Sequence, residues 1–143
     1  MKAERVQQVL EVVAPLLAAG ESVEVATFAN VGSVSAKRLI GTAVVVGIAT
    51  AGMFTVIARP RPMYVALTTE RVLFFGCDEL SGRPKKEPVM TLQREWLGVA
   101  STKKFLLALT VHVQVEGSDK ALKLSFPRTT HEAAHTVIAA LSS

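Results

Sequence analysis

Between Leu39 and Ala58 the chain runs for twenty residues without a charge: LIGTAVVVGIATAGMFTVIA. Twenty helical residues span ~30 Å, the hydrocarbon thickness of a bilayer. Lys37 and Arg38 stand before the run, and Arg59 and Arg61 after it. Cations at both ends of an apolar helix suit contact with lipid headgroups. Leu39, Ile40, Val44, Val45, Val46, Ile48, Met53, Phe54, Val56 and Ile57 are the candidate lipid-contacting side chains. Ala43, Gly47, Ala51 and Thr55 recur every fourth residue, which puts small side chains on one helix face. Such a stripe lets two helices approach closely in lipid, so self-association is expected. The same run also fits a helix or β-hairpin buried in protein, because much of it is β-branched and Gly52 suits a turn.

Charge elsewhere is uneven. Residues 1–38 balance four basic groups against four acidic ones. Residues 59–143 carry twelve basic and eight acidic groups, so the net charge of +4 sits entirely after the apolar run. That excess suits an anionic surface but is too weak for a dedicated nucleic-acid binder, and no basic patch interleaved with aromatics is present. A length of 143 residues fits one domain with a modest core. The single cysteine, Cys77, excludes an intrachain disulfide and a Cys-cluster zinc site.

Around the run, the patterning predicts an α+β domain. Val6, Val9, Leu10, Val13 and Leu17 mark one face of a helix over 3–18, with a bend or early end at Pro15. Residues 22–34 read as a strand. Met63–Thr68 and Arg71–Gly76 read as a hairpin around Thr69-Glu70. Asp78–Lys86 reads as a polar loop, Pro88–Leu92 and Trp96–Ser101 as strands, and Thr102-Lys103-Lys104 as a polar turn. Phe105–Val115 alternates as a strand, Leu122–Phe126 follows, and Pro127 ends it. A helix over 129–141 closes the chain, with Thr129 and Glu132 spaced as a capping box.

This order of short antiparallel strands and one C-terminal helix resembles a pleckstrin-homology-like (PH-like) barrel. The stretch Tyr64–Phe75, with Leu67-Thr68-Thr69-Glu70-Arg71 at its centre, is similar to the Leu-Thr-x-x-Arg hairpin of bacterial PH-like and GRAM-like domains. Gly20-Glu21-Ser22-Val23 is similar to the Gly-Glu-x-Val lead-in to their first strand, and Phe126 before the last helix also fits. The resemblance covers about residues 16–141. It implies a small antiparallel barrel of about seven strands across one domain, residues 1–143. That domain comprises an N-terminal helix (1–19), a hydrophobic insert (39–58) between the first two strands, main strands (62–126) and a capping helix (129–141). It implies a non-enzymatic module that binds lipid surfaces or proteins and needs no cofactor. No phosphoinositide-binding motif of that family matches residue by residue.

The expected setting is a membrane, with the main domain cytoplasmic, in a homo-oligomer. The alternative is a soluble adaptor whose insert is buried in an oligomer. A strand at 22–34 that pairs with strands after residue 62 must lie on their side of a membrane, which a single crossing at 39–58 forbids. In a simple up-and-down meander, the apolar insert, the Arg83-Pro84-Lys85-Lys86 loop and the Lys103-Lys104 turn emerge at one end. Arg83, Lys85, Lys86, Lys103 and Lys104 would then form a basic docking face beside the insert.

One catalytic pattern is present. His131-Glu132-Ala133-Ala134-His135 matches the zinc-peptidase His-Glu-x-x-His, which sets two imidazoles one helical turn apart with Glu as general base. No Asp or Glu follows Glu132, and His112 is the only other histidine. A small zinc hydrolase is therefore the third expectation, behind the two interaction modules. Cys77 beside Asp78 and Glu79 is a poor nucleophile, because nearby anions disfavour the thiolate.

Overall fold

The computed structural model describes residues 1–35, 60–118 and 120–142. Helix α1 (Ala3–Val13) runs into a short 3-10 turn (Ala14–Leu16) at Pro15. Seven strands follow: β1 (Val23–Ser35), β2 (Arg61–Thr68), β3 (Arg71–Cys77), β4 (Pro84–Gln93), β5 (Leu97–Phe105), β6 (Ala108–Val115) and β7 (Lys120–Phe126). Helix α2 (His131–Leu141) closes the chain. The strands form one antiparallel sheet in the order β4-β3-β2-β1-β7-β6-β5. The expected barrel is corrected in one respect: β4 and β5 are the free edges of an open sheet, joined through the chain by the 3-10 turn Arg94–Trp96 and not by hydrogen bonds.

Strand β1 organises the sheet. Its first part, Val23 to Val31, pairs with Thr68 to Arg61 of β2. Its last part, Asn30 to Ser35, pairs with Ser125 to Lys120 of β7. One long strand thus belongs to both halves of a curled sheet. The inner core gathers Val31, Met63, Val65, Leu67, Phe74, Leu92, Val111, Val113, Leu124 and Phe126, with Ala134, Val137 and Leu141 of α2 laid across it. Strands β2 and β3 are covered on both faces. Tyr64, Ala66, Leu73 and Phe75 point outward into a second cluster with Val9 and Val13 of α1. This explains why β2 and β3 read as continuous apolar runs without alternation, whereas β6, with one covered face, alternates strictly.

Three local expectations are corrected. Lys85 and Lys86 are not in a loop, because β4 begins at Pro84. Proline is tolerated there because β4 is an edge strand, and the register against β3 shifts near Pro84 and Pro88. Thr102-Lys103-Lys104 is not a turn but part of β5; the turn is Leu106-Leu107, between the paired Phe105 and Ala108. The Thr129–Glu132 capping box is not formed. The chain enters α2 through a 3-10 turn, and Thr130, at the N-cap, sends its N–H and its hydroxyl to the Pro127 carbonyl.

Candidate functional site

The region of interest is the end of the sheet where β1 stops and β2 begins. Val31 faces Arg61 across the ladder, and Pro60 lies so close over Gly32 that a Cβ on Gly32 would stand 3.2 Å from the Pro60 Cγ. The chain on either side of 36–59 is therefore held within one paired ladder. The proposed lipid-contacting residues Leu39, Ile40, Val44, Val45, Val46, Ile48, Met53, Phe54, Val56 and Ile57 lie outside the described residues. So does the small-residue stripe Ala43, Gly47, Ala51 and Thr55. No helix among the described residues is long and apolar enough to cross a membrane.

The pairing of β1 with β2 answers the topological question. The strand at 22–34 does pair with a strand after residue 62, through eight residue pairs from Val23↔Thr68 to Val31↔Arg61. Twenty residues are too few for two crossings.

Beside this end lies the β3–β4 turn. Asp78 Oδ1 accepts the backbone N–H groups of Leu80 (2.9 Å) and Ser81 (3.0 Å). These bonds, that from Ser81 foremost, hold the Asp78 carboxyl below the usual carboxylate range. Gly82, at φ +73°, turns the chain back, and its carbonyl accepts the Tyr64 hydroxyl. Burial pushes the Tyr64 hydroxyl pKa up. Arg5 of α1 reaches the Ser81 carbonyl at 3.3 Å, which ties the turn to the N-terminal helix. Arg83, Pro84 and Lys86 form one wall of an open groove of about 390 Å³, and Gln8, Glu11, Val12 and Pro15 form the other. Arg83, Lys85 and Lys86 are exposed, and Leu80 at the turn is fully exposed.

Lys103 and Lys104 do not join them. The ladders set Ser35 against Lys120, Ala121 against Gln114, and Val115 against Leu97. The end of β1 is thus at the same end of the sheet as the start of β5, while Lys103 and Lys104 sit six and seven residues beyond Leu97, opposite Thr110 and Leu109. A pure meander would make β1 and β7 parallel; they are antiparallel, and this reversal carries the β5–β6 turn to the far end. The five-residue basic face is therefore two separate groups, Arg83-Lys85-Lys86 and Lys103-Lys104. On the outer face of the second group, His112 shares a hydrogen bond with Ser101 (3.1 Å) and lies opposite Lys123. Burial, then the Lys123 charge, lowers the His112 pKa.

His131, Glu132 and His135 lie on the first turn and a half of α2. His112 is on β6, and among the described residues no three His, Cys, Asp or Glu side chains come close enough to hold a metal ion. His131 Nε2 is buried without a hydrogen-bond partner, while His135 is exposed.

The two motifs that carried the family resemblance meet at the opposite end. Glu21 accepts Arg71 Nη2 on Oε1 (2.7 Å) and Arg71 Nε on Oε2 (3.0 Å), a two-point pair. Thr68 donates to Glu21 Oε2 (2.6 Å), and the Ala18 N–H donates to Oε1 (2.9 Å). Arg71 also binds the Leu16 carbonyl (2.8 Å). The Glu21 side chain is fully covered. The Arg71 hydrogen bonds outweigh the cost of burial, helped by Thr68 and Ala18, and hold the Glu21 pKa at about 2. This cluster locks the β2–β3 hairpin to the lead-in of β1 and is structural.

No protein-family model matches the chain, and no curated protein matches it. Among solved structures, it is similar to the crystal structure of a pleckstrin homology domain from Shewanella amazonensis SB2B. The two are 11% identical, the match covers 96% of this chain and 97% of that one, and the TM-score is 0.51. With seven antiparallel strands curled under a C-terminal helix and matched over nearly the whole length, the chain has a PH-like fold.

Proposed function

We propose that this chain is a non-enzymatic interaction module held at a membrane by residues 39–58, with its folded part on the cytoplasmic side and a capacity to self-associate. The observation that carries this reading is the joining of β1 to β2 around a charge-free run. The described strands on either side of the run meet at one end of the sheet, which suits a segment that enters a bilayer from one side. Arg61 begins β2 at that end, and Arg83, Lys85 and Lys86 lie across the neighbouring strands. Cations there strengthen contact with anionic lipid by roughly 1 kcal/mol each, less at high salt. The interaction role is supported by analogy of fold with the pleckstrin homology domain.

The same one-sided geometry favours a second reading, a soluble adaptor whose apolar run is buried between subunits. Fractionation separates the two. On the membrane reading, the full chain sediments with membranes, resists salt washing and is released only by detergent. A chain that remains in the soluble fraction as a discrete oligomer, and that aggregates when 39–58 is removed, overturns it.

A further inference from the structure

The β5–β6 hairpin ends in three consecutive large apolar side chains in open solvent. Phe105 is 66%, Leu106 79% and Leu107 62% exposed. Turn chemistry does not call for them. Leu106 is the first residue of a two-residue turn and stands at φ 55°, where Gly, Asn or Asp is the usual occupant. The chain therefore holds a leucine in a strained backbone position and gains no burial of its own from it.

Charge on the strands that carry the tip has one sign. Lys103 and Lys104 precede it, and strands β5, β6 and β7 contain no Asp or Glu. The register puts Phe105 and Lys103 on the outer face of these strands, the face that also carries His112 and Lys123, and exposed Lys104 on the other face at the strand end. A protruding apolar tip on three carboxylate-free, lysine-bearing strands complements a soft anionic surface.

We infer that the β5–β6 tip is a wedge that enters an anionic lipid bilayer, with Phe105, Leu106 and Leu107 at the acyl–headgroup boundary and Lys103 and Lys104 against lipid phosphates. The inference rests on the membrane reading above only in placing the chain at a bilayer. The contact itself is separate, because the tip stands at the end of β5 away from the end of β1. A domain engaged at both places lies along the membrane: the nine residues of β5 span ~30 Å between them.

The test is a polarity-sensitive dye on Leu106→Cys in the full chain carrying Cys77→Ser. Twin samples carry the dye on Met53→Cys for the apolar run and on Glu95→Cys as an exposed reference. Phosphatidylcholine vesicles are used with and without phosphatidylserine. With phosphatidylserine, the dye at 106 shifts to the blue and is shielded from iodide, while the dye at 95 stays aqueous. Lys103→Glu with Lys104→Glu reverses this, the inserted population falling roughly fivefold per charge removed. A dye buried at 106 but aqueous at 53 supports the wedge and removes the anchor. A dye buried at 53 but aqueous at 106 overturns the wedge and leaves the anchor standing. No response at either site overturns both. Shielding at 106 without vesicles, in a particle of doubled size, overturns the wedge in favour of contact between two copies.

Discussion

Glu21 shows what the resemblance-bearing residues do physically. A carboxylate removed from water is costly unless its oxygens are filled, and Arg71, Thr68 and the Ala18 N–H fill them. Its pKa falls from 4.5 to about 2 in the folded chain. Because the folded value is the lower one, the stabilisation is complete above about pH 4.5 and is lost as pH falls from there towards 2. Proton linkage alone gives about 3 kcal/mol; the Arg71 side chain is 21% exposed, and water screening leaves about 1–2 kcal/mol. Thermal melts between pH 6 and about pH 3 should therefore show a drop that Glu21→Gln largely removes, since its stability is already low at neutral pH. A Glu21→Gln protein as stable as the parent at pH 7, with an unchanged acid limb, would assign the drop to other carboxylates. The sequence exposes Gly20-Glu21 and Leu67-Thr68-x-x-Arg71 as separate signatures. Their joining is invisible there, because it depends on β1 and β2 lying side by side across fifty residues of chain.

At the level of elements, the strands that bury one face, or both faces wholly, are legible, and the edges are not. Strands β2, β3, β6 and β7 appear where apolar runs or strict alternation predict them, because burial imposes the pattern. Strand β4 is hidden by Pro84, Pro88 and Lys85-Lys86-Glu87, residues an edge strand tolerates. The β5–β6 turn is hidden for the opposite reason: Leu106 and Leu107 are poor turn residues, and Thr102-Lys103-Lys104 looks like a better turn than the one used. That misfit gives a stability prediction. Leu106→Gly relieves a left-handed leucine, worth ~1–2 kcal/mol, against a glycine entropy cost of about half that. The variant should gain about 0.5–1 kcal/mol, seen as a rise of about 2 °C in the melting midpoint. A variant that melts lower would mean that the leucine is stabilised by contacts within the fold.

Across the whole molecule, the class of fold and its order of elements follow from the sequence, whereas the relation of its ends does not. A strand list cannot reveal that β1 serves both halves of the sheet, and that single fact separates Lys103 and Lys104 from Arg83, Lys85 and Lys86. The same fact constrains the proposed membrane contact. A full crossing at 39–58 would have to separate β1 from β2, breaking a ladder of eight residue pairs and opening a core that contains Ala29, Val31, Met63 and Val65. Charged and hydrogen-bonded groups at Glu21, Thr68 and Arg71 would be left unpaired as well. No gain from burying one helix in lipid requires that loss, because a segment that turns back within the bilayer keeps the ladder intact. Ser22→Cys before β1 and Glu87→Cys on β4, each with Cys77→Ser in membranes of one orientation, should thus react with a membrane-impermeant maleimide from the same side. Reaction from opposite sides would mean that β1 and β2 are not paired in the membrane-bound chain, and the one-sided arrangement would fall with them.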